Sequence, residues 1–461
     1  MADSEGPPRP HGARSAGPAA RKGGRDLHKV GSAEAGLGKK PGRKAAGRRA
    51  LPGAGAESVV PQAVQEADCY HGMIHKDELG TLLLREGDFV IRLGRSAQAA
   101  DRITLSVLWD GAPRHFILES SGAGARRRVW IEMERQFGSE MKLVEWHVET
   151  GTPLGPKACV LRNPVTHQSW ELDVENITTE KELGAGAFGK VFRGSLDIGG
   201  QGERTPAAIK QCEAKRLKLE DQNKFMKEAE IGRRLNHPNV IRCYGVQHMR
   251  EPLMIVMELA AGGSLRSRLR TPAGSPDAPT SQQLLVWSRE ACAALEYLEQ
   301  KKILHRDIAA RNCLLGPAPA LTLKLADFGL AKADTTAYKM QTKVKLAPRW
   351  MAPEVMTAGE FSTASEVWSL GVLLWEIHSK GEEPFKGYAA VEIKERVAGP
   401  EKLRLACPPA SFPGELARLV QSCWASHPSA RPTFARLGLS LDQLLGRLPG
   451  RLQNAPDNFV F

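Results

Sequence analysis

Apolar and polar positions fall into ordered patterns only from about residue 69 onward, and the texture upstream is different. A helical stretch over residues 76–85 precedes two runs of alternating character, 88–93 and 103–108, which a period of two predicts to be strands. Asp110-Gly111 then turns the chain into a further strand over 114–118, closing a hairpin. Farther on, the glycine-rich stretch Leu183-Gly184-Ala185-Gly186-Ala187-Phe188-Gly189-Lys190-Val191 reads as a turn between two strands. Ala207-Ala208-Ile209-Lys210 ends another strand in a lysine. A helix is predicted over 221–235, a strand over 254–259, and a helix start at Gly262-Gly263-Ser264-Leu265. The longest apolar run, 367–375, is too short to span a bilayer.

Within the first strand, Phe89-Val90-Ile91-Arg92 places an arginine where alternation assigns a buried or half-buried face. Burying a guanidinium without a partner is costly, so Arg92 calls for an anion.

Charge sharpens the division at the start of the chain. The net charge is +12, yet residues 1–60 hold 12 Lys or Arg against 5 Asp or Glu, a net of +7 that leaves +5 for everything else. This segment has few large apolar side chains and cannot bury enough surface to offset its ordering entropy, so a disordered basic tail is expected over 1–66. Its densest run, Lys39-Lys40-Pro41-Gly42-Arg43-Lys44 with Arg48-Arg49, is suited to weak contact with an anionic membrane, at about 1 kcal/mol per basic residue. Nucleic acid is not the expected partner. Met1-Ala2-Asp3-Ser4-Glu5 lacks the order of a signal peptide and has no glycine for myristoylation, so a cytoplasmic protein is expected. The eight cysteines form no Cys-x-x-Cys pair, which argues against zinc sites and disulfide staples.

Tyr70-His71-Gly72, Gly87-Asp88-Phe89-Val90-Ile91-Arg92 and Leu105-Ser106-Val107-Leu108-Trp109-Asp110-Gly111 together resemble a Src-homology-2 (SH2) domain, and Pro113-Arg114-His115-Phe116-Ile117 is similar to its Fes/Fer branch. The resemblance implies a phosphotyrosine-binding module over 67–165, in which Arg92 grips the phosphate and Lys76 and His115 flank it. The Glu-Ser that usually follows the key arginine is Leu93-Gly94 here, leaving Arg95 or Ser96 as alternatives for the missing hydroxyl.

Leu304-His305-Arg306-Asp307-Ile308-Ala309-Ala310-Arg311-Asn312, followed by Asp327-Phe328-Gly329, resembles the catalytic apparatus of protein kinases, and with the glycine turn and Lys210 the resemblance covers about residues 68–446. It implies an α+β bilobal kinase domain over 177–446, joined through a linker at 166–176 and followed by a tail at 447–461. By that resemblance Asp307 is the catalytic base, Arg311 marks a tyrosine acceptor, Lys210 pairs with Glu228, and Asn312 and Asp327 hold Mg2+. ATP would lie against Leu183, Gly184, Gly186, Phe188, Gly189, Val191, Ala208, Lys210, Met257, Glu258 and Ala260, with the backbones of the last two at the adenine. Of the five tyrosines, only Tyr338 falls between Asp327 and Glu354, where the family carries an activating phosphosite, and Arg306 would be its partner. Three departures stand out: Gly232 in place of a large apolar residue, Glu366 in place of an aspartate, and Pro348 one place late.

The expected function is a non-receptor protein-tyrosine kinase of Fes/Fer type, using ATP and Mg2+ on protein tyrosines and binding tyrosine-phosphorylated proteins through the SH2 domain. The alternative is a phosphotyrosine-binding scaffold with a weak or inactive kinase domain, for which the three departures speak.

Overall fold

The computed structural model describes residues 60–94, 101–186, 189–199, 202–213, 219–340, 347–408 and 410–447. The first part is built on a sheet of β1 (Asp88–Gly94), β2 (Arg102–Trp109) and β3 (Ala112–Ile117), antiparallel in sequence order. The hairpin at Asp110-Gly111 has positive φ at both residues, 53° and 66°, as a two-residue turn requires. Alternation sorts β1 as expected. Phe89 and Ile91 enter one core with Leu105, Val107, Leu143 and Val144, while Val90 meets Ile74, Leu79, Leu82 and Leu83 on the other face. Each such fully buried apolar side chain contributes about 1.5–3 kcal/mol.

Two expectations need correction. The helix over 76–85 is a 3-10 turn, Lys76–Glu78, leading into the short α2 (Leu79–Leu82). The Asp88 carboxylate ends it by accepting from the amides of Leu84 and Arg85 at 3.0 and 2.8 Å, which draws the chain out of the helix. The tail boundary at residue 66 also lies too late. Val60 and Val64, the latter on α1 (Gln62–Gln65), are buried in the first core. A ribbon of β4 (Glu119–Ser121) and β5 (Arg128–Trp130) leads to α3 (Glu140–Thr150), capped by the Ser139 hydroxyl and ended by Gly151 at φ 63°. β6 (Asn163–Pro164) then adds in parallel to β1.

The second part begins with an antiparallel sheet in the order β10-β11-β9-β8-β7: β7 (Ile177–Gly186), β8 (Gly189–Asp197), β9 (Arg204–Cys212), β10 (Cys243–Gln247) and β11 (Leu253–Glu258). α4 (Leu219–Arg233) packs on it through Phe225, Met226 and Ala229. The larger helical lobe follows, with β12 (Gly263–Ser264), α5 (Leu265–Leu269), α6 (Ser281–Gln300), β13 (Cys313–Leu315), β14 (Leu323–Leu325), β15 (Ala337–Lys339), α7 (Pro353–Ala358), β16 (Glu360–Ser362) and α8 (Thr363–His378). α9 (Ala390–Ala398), α10 (Gly414–Cys423) and α11 (Phe434–Gly446) complete it. The apolar run at 367–375 lies inside α8, buried on nearly every side, and no helix among the described residues is long and apolar enough to cross a membrane.

The connection between the two parts is not a loose tether. Val246 donates to the Trp170 carbonyl and Leu172 to that of Val246, at 2.8 and 2.9 Å, so this segment extends the sheet beyond β10. Gly72 (φ 52°) lies against His248, and a Cβ there would sit 2.2 Å from the His248 carbonyl oxygen. The Met73 amide donates to that carbonyl at 2.9 Å. Glu78 pairs with Arg233 at the end of α4 at 3.2 Å, both largely buried, and the Arg233 guanidinium lies 3.4 Å from the Trp170 ring centroid. Gly72→Ala should therefore lower stability by about 2 kcal/mol or more, combining backbone strain with a clash. Gly111→Ala has the same strain but open space and should lose about 1 kcal/mol. Denaturant midpoints of the two variants check the difference.

Candidate active site

The glycine turn and β9 form the roof of the cleft. Gly189 has φ 146°, and a Cβ on it would fall 1.9 Å from the Gln211 carbonyl oxygen, so no side chain fits. Leu183, Gly184 and Gly186 lie on β7, and Gly184 pairs with Val191 while Gly186 pairs with Gly189. Phe188 lies outside the described residues. Ala207 and Ile209 face the sheet's core, which turns Ala208 and Lys210 to the opposite face, beside Met257 and Val191 in register.

Lys210 Nζ donates to both oxygens of Glu228 at 2.7 Å. Burial pushes the Glu228 carboxyl up, and the ammonium of Lys210 opposes that shift. The charge of Asp327, at the start of the second acidic turn, also pushes the Glu228 carboxyl up. Gly232 stands one turn later on α4. A Cβ there would meet Cys243 Cβ at 3.3 Å, so Cys243 leans into the place of the missing side chain and leaves little room for a larger one. At the back of the cleft the Glu258 amide donates to the Arg242 carbonyl at 2.9 Å, and the Ala260 carbonyl accepts from Gly263 at 3.1 Å. The first of these bonds occupies the Glu258 N–H, which leaves the Glu258 carbonyl and the Ala260 amide to meet an adenine.

The loop at 305–312 is held from three sides. Glu366, buried in α8, accepts from the Arg306 amide at 2.7 Å. Burial pushes its carboxyl up to about 7 against that bond. Asn312 Nδ2 donates to the Asp307 carbonyl and to Asp307 Oδ2, each at 2.7 Å, which leaves the Asn312 Oδ1 side as the acceptor. Arg311 also donates to Asp307 Oδ1, and its guanidinium stacks 4.4 Å from the Trp350 ring centroid. Trp350 Nε1 and the Ala310 amide both donate to Glu376 Oε2, at 2.8 and 2.9 Å. Glu376 thereby ties Trp350 to the loop at Ala310, a role that sequence reasoning missed because nothing local marks it. His305 stacks edge-on against Phe328 and faces the Ala326 carbonyl at 3.1 Å, joining the two acidic turns.

Tyr338 lies on β15, opposite Phe361 of β16. The Arg306 guanidinium is 4.8 Å from its ring centroid and 4.2 Å from that of Phe361, with Nη1 on the Leu330 carbonyl but Nε and Nη2 without hydrogen-bond partners. Arg431 makes a bidentate pair with Glu354 at 2.6 and 2.8 Å, remote from the cleft.

A second basic pocket lies on the first sheet. Arg92, nearly buried, donates through Nε to Ser106 Oγ at 3.0 Å, and His115 Nδ1 meets the same hydroxyl at 3.0 Å. Burial, then the charges of Arg92 and Lys76, lower the His115 pKa. Two cationic side chains, Arg92 and Lys76, thus bear on His115 where no described carboxylate pairs with Arg92. Ser106 was missed as part of this pocket, although alternation in β2 puts it on the Arg92 face. Arg95 and Ser96 lie outside the described residues.

An acid held neutral in the folded state up to about pH 7 but ionising at ordinary carboxylate values when unfolded favours the fold below about pH 4.5, and that contribution is lost as pH rises toward 7. Thermal or denaturant melts of Glu366→Gln should accordingly lose a stability slope of about 1.4 kcal/mol per pH unit over that window. An unchanged slope would show that Glu366 ionises normally.

Residues 177–441 match the family model for protein tyrosine and serine/threonine kinases, and residues 69–147 match that for the SH2 domain. The tyrosine-protein kinase transforming protein Fps of avian sarcoma virus (strain PRCII) is 36% identical over 383 residues, covering 82% of this chain and 68% of that protein. Tyrosine-protein kinase Fer of Homo sapiens is 34% identical over 383 residues, covering 82% of this chain and 44% of Fer. Fer-related kinase 1 of Caenorhabditis elegans is 32% identical over 382 residues, covering 82% of this chain and 94% of that protein. The chain thus spans less than half the length of Fer but nearly all of the nematode relative. With an SH2 domain ahead of a kinase domain and relatives of this kind, the chain belongs to the protein tyrosine and serine/threonine kinase family, in the group that contains Fps and Fer.

Proposed function

We propose that the chain is a cytoplasmic protein-tyrosine kinase that transfers the γ-phosphoryl group of ATP to a tyrosyl hydroxyl, giving ADP, phosphotyrosine and a proton. The observation that carries this reading is the two-fold contact of Lys210 with Glu228 at 2.7 Å, with the charge of Asp327 bearing on Glu228 and with Asn312 holding the Asp307 carboxylate. The site fits the group it needs. Gly184 and Gly186 have open space where a Cβ would stand, room for phosphate oxygens, and Asn312 and Asp327 supply two oxygen donors, few enough that phosphate and water would complete an octahedral Mg2+. Bound MgATP supplies the phosphoryl group and the charge that stabilises its transfer.

The protein's own part is positioning and proton handling. Lys210, kept in place by Glu228, orients phosphate oxygens. Asp307, fixed by Asn312 and Arg311, accepts the hydroxyl proton at a carboxylate oxygen. Trp350, stacked on Arg311 and anchored by Glu376, gives an aromatic acceptor a flat surface next to that base, which favours tyrosine. Phosphorylation of Tyr338 would give Arg306 Nε and Nη2 the acceptors they lack. The scaffold alternative loses ground, since Gly232 leaves Glu228 in place and Glu366 still holds the loop. In the SH2 domain, Arg92, Lys76 and His115 bind the phosphotyrosine of partner proteins. The basic run at 39–49 serves as a weak contact to anionic membrane.

Incubating the purified chain with Mg2+, labelled ATP and a tyrosine-only copolymer tests the activity. Label should enter the copolymer, and Asp307→Asn should reduce the rate by about 10²–10⁴-fold. Absence of label from the wild type rejects the enzyme. Arg92→Ala should weaken binding of a phosphotyrosine peptide by about 2–5 kcal/mol, as calorimetry reads it, while leaving affinity for the unphosphorylated peptide unchanged.

A further inference from the structure

Leu93-Gly94 stands where an SH2 domain usually has Glu-Ser, and the place of the missing serine side chain is filled from the neighbouring strand. Register and alternation define the face concerned. Arg92 and Gly94 are two apart on β1 and share one side of the sheet, where Thr104 of β2 stands opposite Arg92 and Ser106 opposite Val90. His115 of β3, opposite Ser106, lies on the same side. A Cβ built on Gly94 would fall 2.5 Å from Thr104 Oγ1, too close for both atoms to be present. The Thr104 hydroxyl therefore holds the position that a side chain at residue 94 would take. Without that oxygen, the nearest neighbours of such a Cβ would be the Arg102 carbonyl oxygen at 3.4 Å and Thr104 Cβ at 3.5 Å, which are ordinary contacts.

The two hydroxyls on this face are not equivalent. Ser106 Oγ lies between Arg92 Nε and His115 Nδ1, 3.0 Å from each, and is engaged in holding those two side chains together. Thr104, nearly buried, donates to the Arg102 carbonyl of its own strand at 3.2 Å, which is long for a bond from a hydroxyl. A hydroxyl hydrogen rotates freely about its C–O bond, so this one can turn from the carbonyl to a better acceptor. A bond from a hydroxyl to an ionised oxygen is shorter and about twice as strong as one between neutral groups. An anion drawn in by Arg92 would meet Thr104 on the opposing strand.

We propose that Thr104 is a phosphate-binding residue: its hydroxyl donates to a phosphate oxygen of the bound phosphotyrosine beside Arg92, doing from β2 what the serine absent at residue 94 would do from β1. The inference rests on the reading of this pocket as the phosphotyrosine site. Gly94 and Thr104 then form a matched pair, because a side chain at 94 and a hydroxyl at 104 exclude each other. The departure from the usual Glu-Ser moves a hydrogen-bond donor across the sheet and does not remove it.

The test is the calorimetric affinity of the full chain for one tyrosine-phosphorylated peptide and for its unphosphorylated form. Thr104→Val keeps the shape of the side chain without the hydroxyl, and should weaken phosphopeptide binding by about 10–100-fold, the loss of one hydrogen bond to a charged group, without lowering the denaturant midpoint. Thr104→Ser should bind as the wild type does. Thr104→Ala should bind as weakly as Thr104→Val, and adding Gly94→Ser to it should restore most of the affinity, since the new Cβ then has room. Gly94→Ser alone should bind less well than the wild type, because its Cβ meets Thr104 Oγ1. Wild-type affinity in Thr104→Val, or no recovery in the double variant, overturns the proposal. Arg92→Ala keeps this failure apart from that of the reading beneath it. If Arg92→Ala loses phosphopeptide binding while Thr104→Val does not, the phosphotyrosine site stands and only the role of Thr104 falls. If the wild type fails to prefer the phosphorylated peptide, the site and the proposal fall together.

Discussion

The contact between Lys210 and Glu228 is the constraint on which the rest of the molecule depends. A carboxylate this buried is tolerable only with a cation against it, and removing one partner of such a pair typically costs about 3–5 kcal/mol. The pair spans a strand and a helix that do not touch in sequence, so it forms only if α4 sits at one height and rotation over β9. Every other feature of the small lobe can be read as fixing that placement. Phe225, Met226 and Ala229 set the rotation by packing on the sheet, and Cys243 fills the space beside Gly232.

The far end of α4 is fixed from outside the kinase domain. Arg233 lies between Glu78 of the SH2 domain and the Trp170 ring, while the Trp170 and Leu172 backbones lengthen the sheet at β10. The SH2 domain thus meets the end of α4 through a buried ion pair and the packing around it. In the large lobe α8 plays the matching part. Its buried Glu366 and Glu376 reach the loop at 306–312 and Trp350 beside it, so Asp307, Asn312 and Trp350 share one support.

What could be read along the chain was whatever has a local cause. The period-two strands, the Asp110-Gly111 hairpin and the glycine at 189 each follow from backbone sterics or from burial of one face. The same holds for the residues of the cleft, whose spacing and type are tied to the chemistry. Features with a distant cause stayed hidden. His71 and Glu171 are 100 residues apart and Glu78 and Arg233 are 155 apart, and nothing in either neighbourhood marks them as partners. The early end of the helix near residue 82 depends on the Asp88 carboxylate, and the inclusion of Val60 and Val64 depends on a core whose other members lie far downstream.

The central claim is that Lys210 and Glu228 act as one unit in the cleft. A double-mutant cycle on kcat/KM for a tyrosine peptide, using Lys210→Met, Glu228→Gln and both together, tests it most directly. The account predicts that either single change removes nearly as much activity as the double, a coupling of about 1–3 kcal/mol. Losses that simply add would contradict it, because two independent residues would then be doing separate jobs.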